Sequence, residues 1–211
     1  MAAEYRSAAL TAQVLHWSVV AAFPEELLHT LLRVVRDELD HATLSHECLV
    51  ALGGADVPIP LDAEALAETA DGVLGGLVDS VLKNFCLGET FAVPLFDAMR
   101  RGATHPAVRP VITRVLQDEA IHRQLGWDLL DELLLRGPGV RDRVEQRLPG
   151  WLAAFREAYA PEADGEPLTD EERAAGLLDL SRYREVFWTT VRGDVARQLE
   201  RRGLSLPEAF R

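Results

Sequence analysis

Asp37–His41 reads DELDH and Asp118–His122 reads DEAIH, so the order Asp-Glu-x-x-His occurs twice in the chain. The chain contains four Asp-Glu pairs, and two of them have a histidine three residues after the glutamate. On an α-helix, residues i and i+3 lie on one face, one turn apart. Each segment therefore predicts a glutamate and a histidine that face one metal ion. A single copy would be weak support because a chance match is common, whereas two copies favour a metal site over coincidence.

Apolar residues recur at spacings of three and four almost throughout the chain, and glycine and proline separate these stretches. This pattern predicts an all-α protein: a four-helix bundle with two additional C-terminal helices. We expect a single domain over 1–211, with a metal-binding core at 1–136 and a helical extension at 137–211. The first predicted helix ends at Phe23, the second runs from Pro24 to Gly53, and a short helix begins at Asp62. The third long helix runs from Leu77 to Arg101 and the fourth from Pro106 to Arg136. A fifth helix follows to Tyr159, and a sixth runs from Thr169 to Gly203. We expect the tail after Gly203 to be irregular.

Helical bundles that hold two metal ions supply one further glutamate from each of two other helices. Each residue rises about 1.5 Å along a helix, so residues at matching depth can be identified by counting from the turns. The residue at the depth of Glu119 on the third long helix is Glu89, and at the depth of Glu38 on the first helix it is Glu4. Glu89 lies within an apolar run, where a carboxylate needs a partner. Each half then reads Glu, followed by Asp-Glu-x-x-His.

Several residues near these motifs have two interpretations. His46 is either an additional ligand or a half-exposed helix histidine. Phe85, Cys86 and Val93 are candidates for the wall of a substrate pocket. For Cys86, the alternative is a buried, unreactive cysteine. Pro94 predicts a kink or a widening of the helix close to Glu89.

The segments EYRSAALTAQVL, RDELDHA, CLGET and QDEAIHRQLGW resemble the ferritin-like di-iron carboxylate proteins. More closely, they resemble a bacterial group of ferritin-like domain proteins with Asp-Glu-x-x-His in both halves. The resemblance covers residues 4–136, and it implies that Asp37 and Asp118 are hydrogen-bond partners of the ligand histidines. Glu4 departs from the family because it has almost no helix before it, and helix ends fray. The implied metal ligands are Glu4, Glu38, His41, Glu89, Glu119 and His122.

The composition limits the classes of partner. The formal net charge of the 211-residue chain is −12, which argues against nucleic acid and against anionic membrane surfaces. Two cysteines with no zinc-type spacing fit a reducing compartment, and the N-terminus lacks the pattern of a signal peptide. We therefore expect a cytoplasmic protein, with a homodimer as one candidate assembly.

Oxygen-rich ligands with two histidines suit iron, with manganese as the alternative. The resemblance implies a cofactor of two iron ions, with O2 as co-substrate and an external electron donor as a candidate partner. The expected function is an oxygenase or oxidase that hydroxylates, N-oxygenates, desaturates or cleaves a small organic substrate. A ferroxidase and a non-catalytic metal-binding module are the alternatives.

Overall fold

The computed structural model describes residues 2–57, 71–162 and 165–211, and within these residues the protein is all-α with no strands. The short helix that the sequence predicts from Asp62 lies outside the described residues. The helices are α1 (Ala2–Val20), α2 (Glu25–Ala51), α3 (Gly72–Ser80), π1 (Val81–Glu89), α4 (Thr90–Gly102), α5 (Val108–Leu134), α6 (Pro138–Tyr159), α7 (Asp170–Ala174), α8 (Leu180–Thr190), π2 (Val191–Val195), α9 (Ala196–Arg201) and a final 3-10 turn (Glu208–Phe210).

Four long helical segments pack around one interior. They are α1, α2, α5 and the composite segment formed by α3, π1 and α4, which follow one another without a break. α1 packs along α2, α2 packs against α5, and α5 packs against both π1 and α4. The core between them is aliphatic and aromatic, with Leu31, Leu82, Phe85, Leu129 and Trp127 fully buried. This arrangement turns one face of α2 towards one face of α5.

α2 agrees with the predicted second helix, and its ends have local causes, whereas α1 ends at Val20, three residues before the predicted Phe23. Pro24 directly precedes α2, and Glu25 and Glu26 occupy its first turn, where the helix dipole favours carboxylates. Gly53 follows α2 with a φ of 85°, a backbone conformation that glycine adopts without a steric penalty. α2 is therefore fixed in register, and this places its motif midway along the bundle.

The third long segment differs from the sequence prediction in its start and in its form. The helix begins at Gly72 rather than at Leu77, because the glycines of DGVLGG are accommodated inside it. The distortion predicted near Glu89 is present, and it is a π-helix over Val81–Glu89 that ends five residues before Pro94. A π-helix is wider than an α-helix and carries one extra residue per turn.

The C-terminal extension confirms one predicted helix and corrects another. α6 ends at Tyr159 as predicted, and Thr169 and Glu172 form the predicted capping box at the start of α7. The continuous helix predicted from Thr169 to Gly203 is wrong, because the chain leaves the helix after Ala174. Gly176 adopts a φ of 85°, and a Cβ there would lie 2.7 Å from the Met99 carbonyl oxygen. The close contact with α4 therefore requires glycine at this position, and the positive φ of Gly176 lies outside the helix.

The tail is irregular over 204–207, as predicted, but it also contains a short 3-10 turn and buried side chains. The chain after Gly203 ends in a 3-10 turn, and Leu204, Leu206 and Phe210 are buried in the core. Burial of three large apolar side chains holds the tail against the protein. None of the helices among the described residues is long and apolar enough to cross a lipid bilayer.

Candidate metal centre

The two Asp-Glu-x-x-His motifs face each other across the α2–α5 interface. Glu38, His41, Glu119 and His122 are each at most 2% exposed. His122 Nδ1 lies 3.3 Å from a carboxylate oxygen of Glu38 and 3.4 Å from one of Glu119. His41 Nδ1 lies 3.7 Å from an oxygen of each of the same glutamates. Both glutamates thus lie between the two imidazole rings, whose centroids are 5.7 Å apart.

The aspartates of the two motifs contact the histidines reciprocally. His41 Nε2 lies 3.1 Å from Asp118, and His122 Nε2 lies 3.4 Å from Asp37, so each aspartate contacts the histidine of the opposite helix. An Nε2–H that donates to an aspartate leaves Nδ1 as the ring atom available to a metal. The family resemblance implied that both aspartates partner the histidines, but not the exchange between helices, because spacing along one helix carries no information about the partner helix.

Two arginines complete this outer layer, and the sequence analysis did not identify them. Arg33 Nε lies 3.4 Å from Asp37, and its guanidinium also approaches Asp118 at 3.8 Å. Arg114 forms a hydrogen-bonded ion pair with Asp118. Each arginine precedes its aspartate by four residues, so the repeated unit is Arg-x-x-x-Asp-Glu-x-x-His. This longer repeat is visible in the sequence and could have identified both arginines.

Glu4 and Glu89 reach the same cluster from the two remaining long segments. Ligand atoms of Glu4, Glu38 and His41 lie within 4.8 Å of one another, as do those of Glu38, Glu119 and His122. Burial raises the pKa of Glu89 well above its usual range, and the adjacent carboxylates of Glu119 and Glu38 raise it further. Burial, together with Glu38 and Glu119, raises the pKa of Glu4 to about 7.

In the centre of the cluster, Glu38 and His122 stabilise each other's charged forms, unlike Glu4 and Glu89, whose pKa values are raised. Burial raises the pKa of Glu38, but contacts with His122 and His41 outweigh burial and lower that pKa to about 2. Burial lowers the pKa of His122, but Glu119 and Glu38 outweigh it and raise that pKa to about 10. At neutral pH the metal-free cluster therefore contains a glutamate–imidazolium pair.

The cluster fits a pair of divalent metal ions. Four of its buried atoms have no hydrogen-bond partner, namely one carboxylate oxygen each of Glu38 and Glu119 and the Nδ1 atoms of His41 and His122. An unpaired buried polar atom costs about 1–3 kcal/mol, and metal coordination would satisfy all four atoms. Ligand atoms bound to one ion at about 2.1 Å sit roughly 3 Å apart, close to the separations of these nitrogens and oxygens. Four glutamates would also balance the charge of two divalent ions.

A cavity of about 390 Å³ opens onto this cluster. We call it the site cavity; its floor includes Glu4, Glu38, Glu89 and Glu119. Phe85, Phe96, Phe155 and Tyr159 form aromatic parts of its wall. Two of these, Phe155 and Tyr159, belong to α6, so the C-terminal extension contributes directly to the site cavity.

The remaining candidate residues lie in different places. Phe85 lines the site cavity. Cys86 is buried on the side of π1 that faces α5, where its thiol donates a hydrogen bond to the Gly126 carbonyl at 3.2 Å. Val93 is half-buried in α4. His46 lies near the end of α2, where its ring nitrogen is 2.9 Å from Asp56 in the following loop.

No protein-family model matches the chain, and neither a curated protein nor a solved structure matches it.

Proposed function

We propose that this protein is a ferritin-like, non-haem di-iron oxygenase or oxidase that uses O2 to oxidise a small organic substrate. The observation that carries the proposal is the convergence of Glu38 and Glu119 between two buried imidazoles whose Nδ1 atoms lack hydrogen-bond partners. Carboxylate-rich sites with two histidines suit iron, and manganese is the alternative. Two ferrous ions bound here would supply the electrons that reduce O2.

Each residue of the cluster has a distinct role in this proposal. His41 and His122 provide nitrogen ligands through Nδ1, while the aspartates of the opposite helices fix the orientation of the rings. Glu38 and Glu119, which each approach both imidazoles, would supply carboxylate ligands to both metal ions. Glu4 and Glu89 complete the two ends of the cluster from α1 and π1.

The site cavity favours the proposal that the protein acts on an organic substrate and not on iron alone. Its volume falls in the range of small-molecule sites, and its wall combines phenylalanine rings with a few polar groups. The central glutamates and histidines of the cluster are at most 2% exposed, and Phe155 and Phe96 line the cavity beside them. Exclusion of water strengthens electrostatic interactions at the reacting centre and protects reactive species from side reactions.

The test is the reaction of the iron-loaded protein with O2. After anaerobic loading with ferrous iron, we expect one rapid oxidation event for each loaded chain, measured by stopped-flow absorbance and an oxygen electrode. The Glu38→Ala variant should abolish this event, whereas Glu47→Ala, an exposed glutamate on the same helix, should leave it unchanged. Continued uptake and oxidation of many irons per chain would instead identify a ferroxidase. Bound metal without O2 consumption would identify a non-catalytic metal module.

A further inference from the structure

A second cavity of about 400 Å³ lies beside the site cavity and has a different chemical character. We call it the apolar chamber. Most of its lining is aliphatic, contributed by α2, α4, α5 and the turn after α7, and includes Leu49, Leu52, Met99, Val111, Ile112 and Val115. It has room for several methylene groups and presents few polar atoms to them.

Two side chains belong to both cavities. Glu4 and Phe96 line the site cavity and also the apolar chamber, so the two cavities lie against each other at these residues. Glu4 is at the same time a member of the ligand cluster with Glu38 and His41. A molecule that occupies the apolar chamber and extends past Phe96 therefore comes directly alongside the carboxylates of the metal centre.

The site cavity also carries positive charge away from its acidic floor. Arg6 and Lys83 line it and are both exposed, which places them towards its mouth. Lys83 is the only lysine in the sequence, and its ammonium group lies 4.8 Å from the centroid of the Trp151 ring. In a chain with a net charge of −12, two cations at one cavity attract an anionic group to that place.

We propose that the substrate is a straight-chain amphipathic molecule with an anionic head group, of the class of medium-chain carboxylates. The head group binds at Arg6 and Lys83, and the hydrocarbon chain crosses the carboxylate floor and enters the apolar chamber past Phe96. This inference rests on the proposed function, because it identifies the substrate class of that same metal centre.

The proposal predicts a specific dependence of affinity on chain length. Each methylene buried against the aliphatic wall should tighten binding about fourfold until the chain fills the apolar chamber. Beyond that length, affinity should level off or fall, because additional carbons have no space. A rigid or strongly branched acid of similar size should bind more weakly than the straight chain.

The experiment is a calorimetric titration of the full chain, without iron, with hexanoate, octanoate, decanoate, dodecanoate and tetradecanoate below their micellar concentrations. We expect stepwise tightening followed by a plateau. The matching 1-alkanols are titrated in parallel, because they keep the chain and lack the anionic head. An affinity that does not change with chain length overturns the assignment of the apolar chamber.

Two tryptophan variants test where the chain binds. Leu49 and Leu39 both lie on α2 and are 37% and 42% exposed, but only Leu49 lines the apolar chamber. Leu49→Trp should move the plateau to shorter acids, whereas Leu39→Trp should leave it unchanged. Equal effects of the two variants would overturn the proposal.

The Lys83→Gln variant tests the head group. We expect about tenfold weaker binding of the carboxylates and no change for the alkanols, because only the carboxylates form a charge-assisted hydrogen bond. Unchanged carboxylate binding would show that the head does not bind at Lys83 and would overturn that part. Because these titrations contain no iron, their failure leaves the O2 reaction untouched, and failure of the O2 reaction leaves the titrations interpretable.

Discussion

At the residue scale, the repeated arginines explain how the two histidines keep a fixed orientation. Arg33 approaches both Asp37 and Asp118, and Arg114 pairs with Asp118 alone. The aspartates are at most 7% exposed, so their charges need these partners. Each aspartate in turn holds the imidazole of the opposite helix. Arg33 thus acts on both half-sites at once.

We expect Arg33→Ala to weaken the binding of divalent metal about tenfold, because outer partners of metal ligands typically contribute a factor of this size. Arg36→Ala is the matched control, since Arg36 is an exposed arginine on the same helix. Competition with a chromophoric chelator measures both affinities. Equal affinities in the two variants would mean that Arg33 does not position the ligands.

At this scale, the sequence predicts which residues share one face of a helix, but not which residues of another helix they contact. The i, i+3 relation predicts that Glu38 and His41 share a face. The number of residues from each turn predicts that Glu89 lies at the same depth in the bundle as Glu119. The exchange of aspartates between α2 and α5 depends on how far the two helices are rotated and shifted against each other. That packing is set by side chains over their whole lengths, so no local pattern reports it.

At the scale of the element, π1 and α5 pack closely against each other beside the candidate metal centre. Gly126 makes this contact possible, because a Cβ at this position would lie 2.7 Å from the backbone and the Cβ of Phe85. The Cys86 thiol and the Gly126 carbonyl join the two helices at the same point. The next residue of α5, Trp127, donates its indole N–H to the hydroxyl of Thr90, the first residue of α4, at 3.0 Å.

Gly126→Ala should lower the free energy of unfolding by about 1–3 kcal/mol, because the added methyl group overpacks a contact that involves rigid backbone. Gly150→Ala provides the control, since no atom lies within 4 Å of a Cβ built at this exposed site in α6. That change should raise the free energy of unfolding by about 0.5–1 kcal/mol, as expected for glycine to alanine inside a helix. Denaturant titration measures both values. A stable Gly126→Ala protein would contradict the close contact.

The form of the third long segment was only partly predictable. Pro94 indicated a distortion near Glu89, but the π-helix lies before it, because hydrogen bonds from i to i+5 depend on what the segment packs against. By contrast, Gly176 is a local signal for the end of α7, but the capping box at Thr169 marks only where the helix begins. The contact with α4 that decides this position is long-range, and helix propensity does not contain it.

At the scale of the whole molecule, the C-terminal extension is packed onto the bundle where the site cavity lies. Phe91 of α4 stacks with Phe155 of α6 and with Phe187 of α8, with ring centroids 5.1 and 5.2 Å apart. Stacked aromatic pairs contribute about 0.5–1.5 kcal/mol each beyond their buried area. The extension thereby closes one side of the site cavity, next to the candidate metal ligands.

The number of ferrous ions bound per chain under anaerobic conditions tests the central claim most directly. Two half-sites that share Glu38 and Glu119 predict two ions per chain, measured by metal analysis after desalting. His122→Ala should lose most of this metal while circular dichroism still reports a helical protein, and His29→Ala, an exposed histidine on α2, should keep both ions. No bound iron in the parent protein, or an unchanged iron content in His122→Ala, would contradict the assignment of the metal centre.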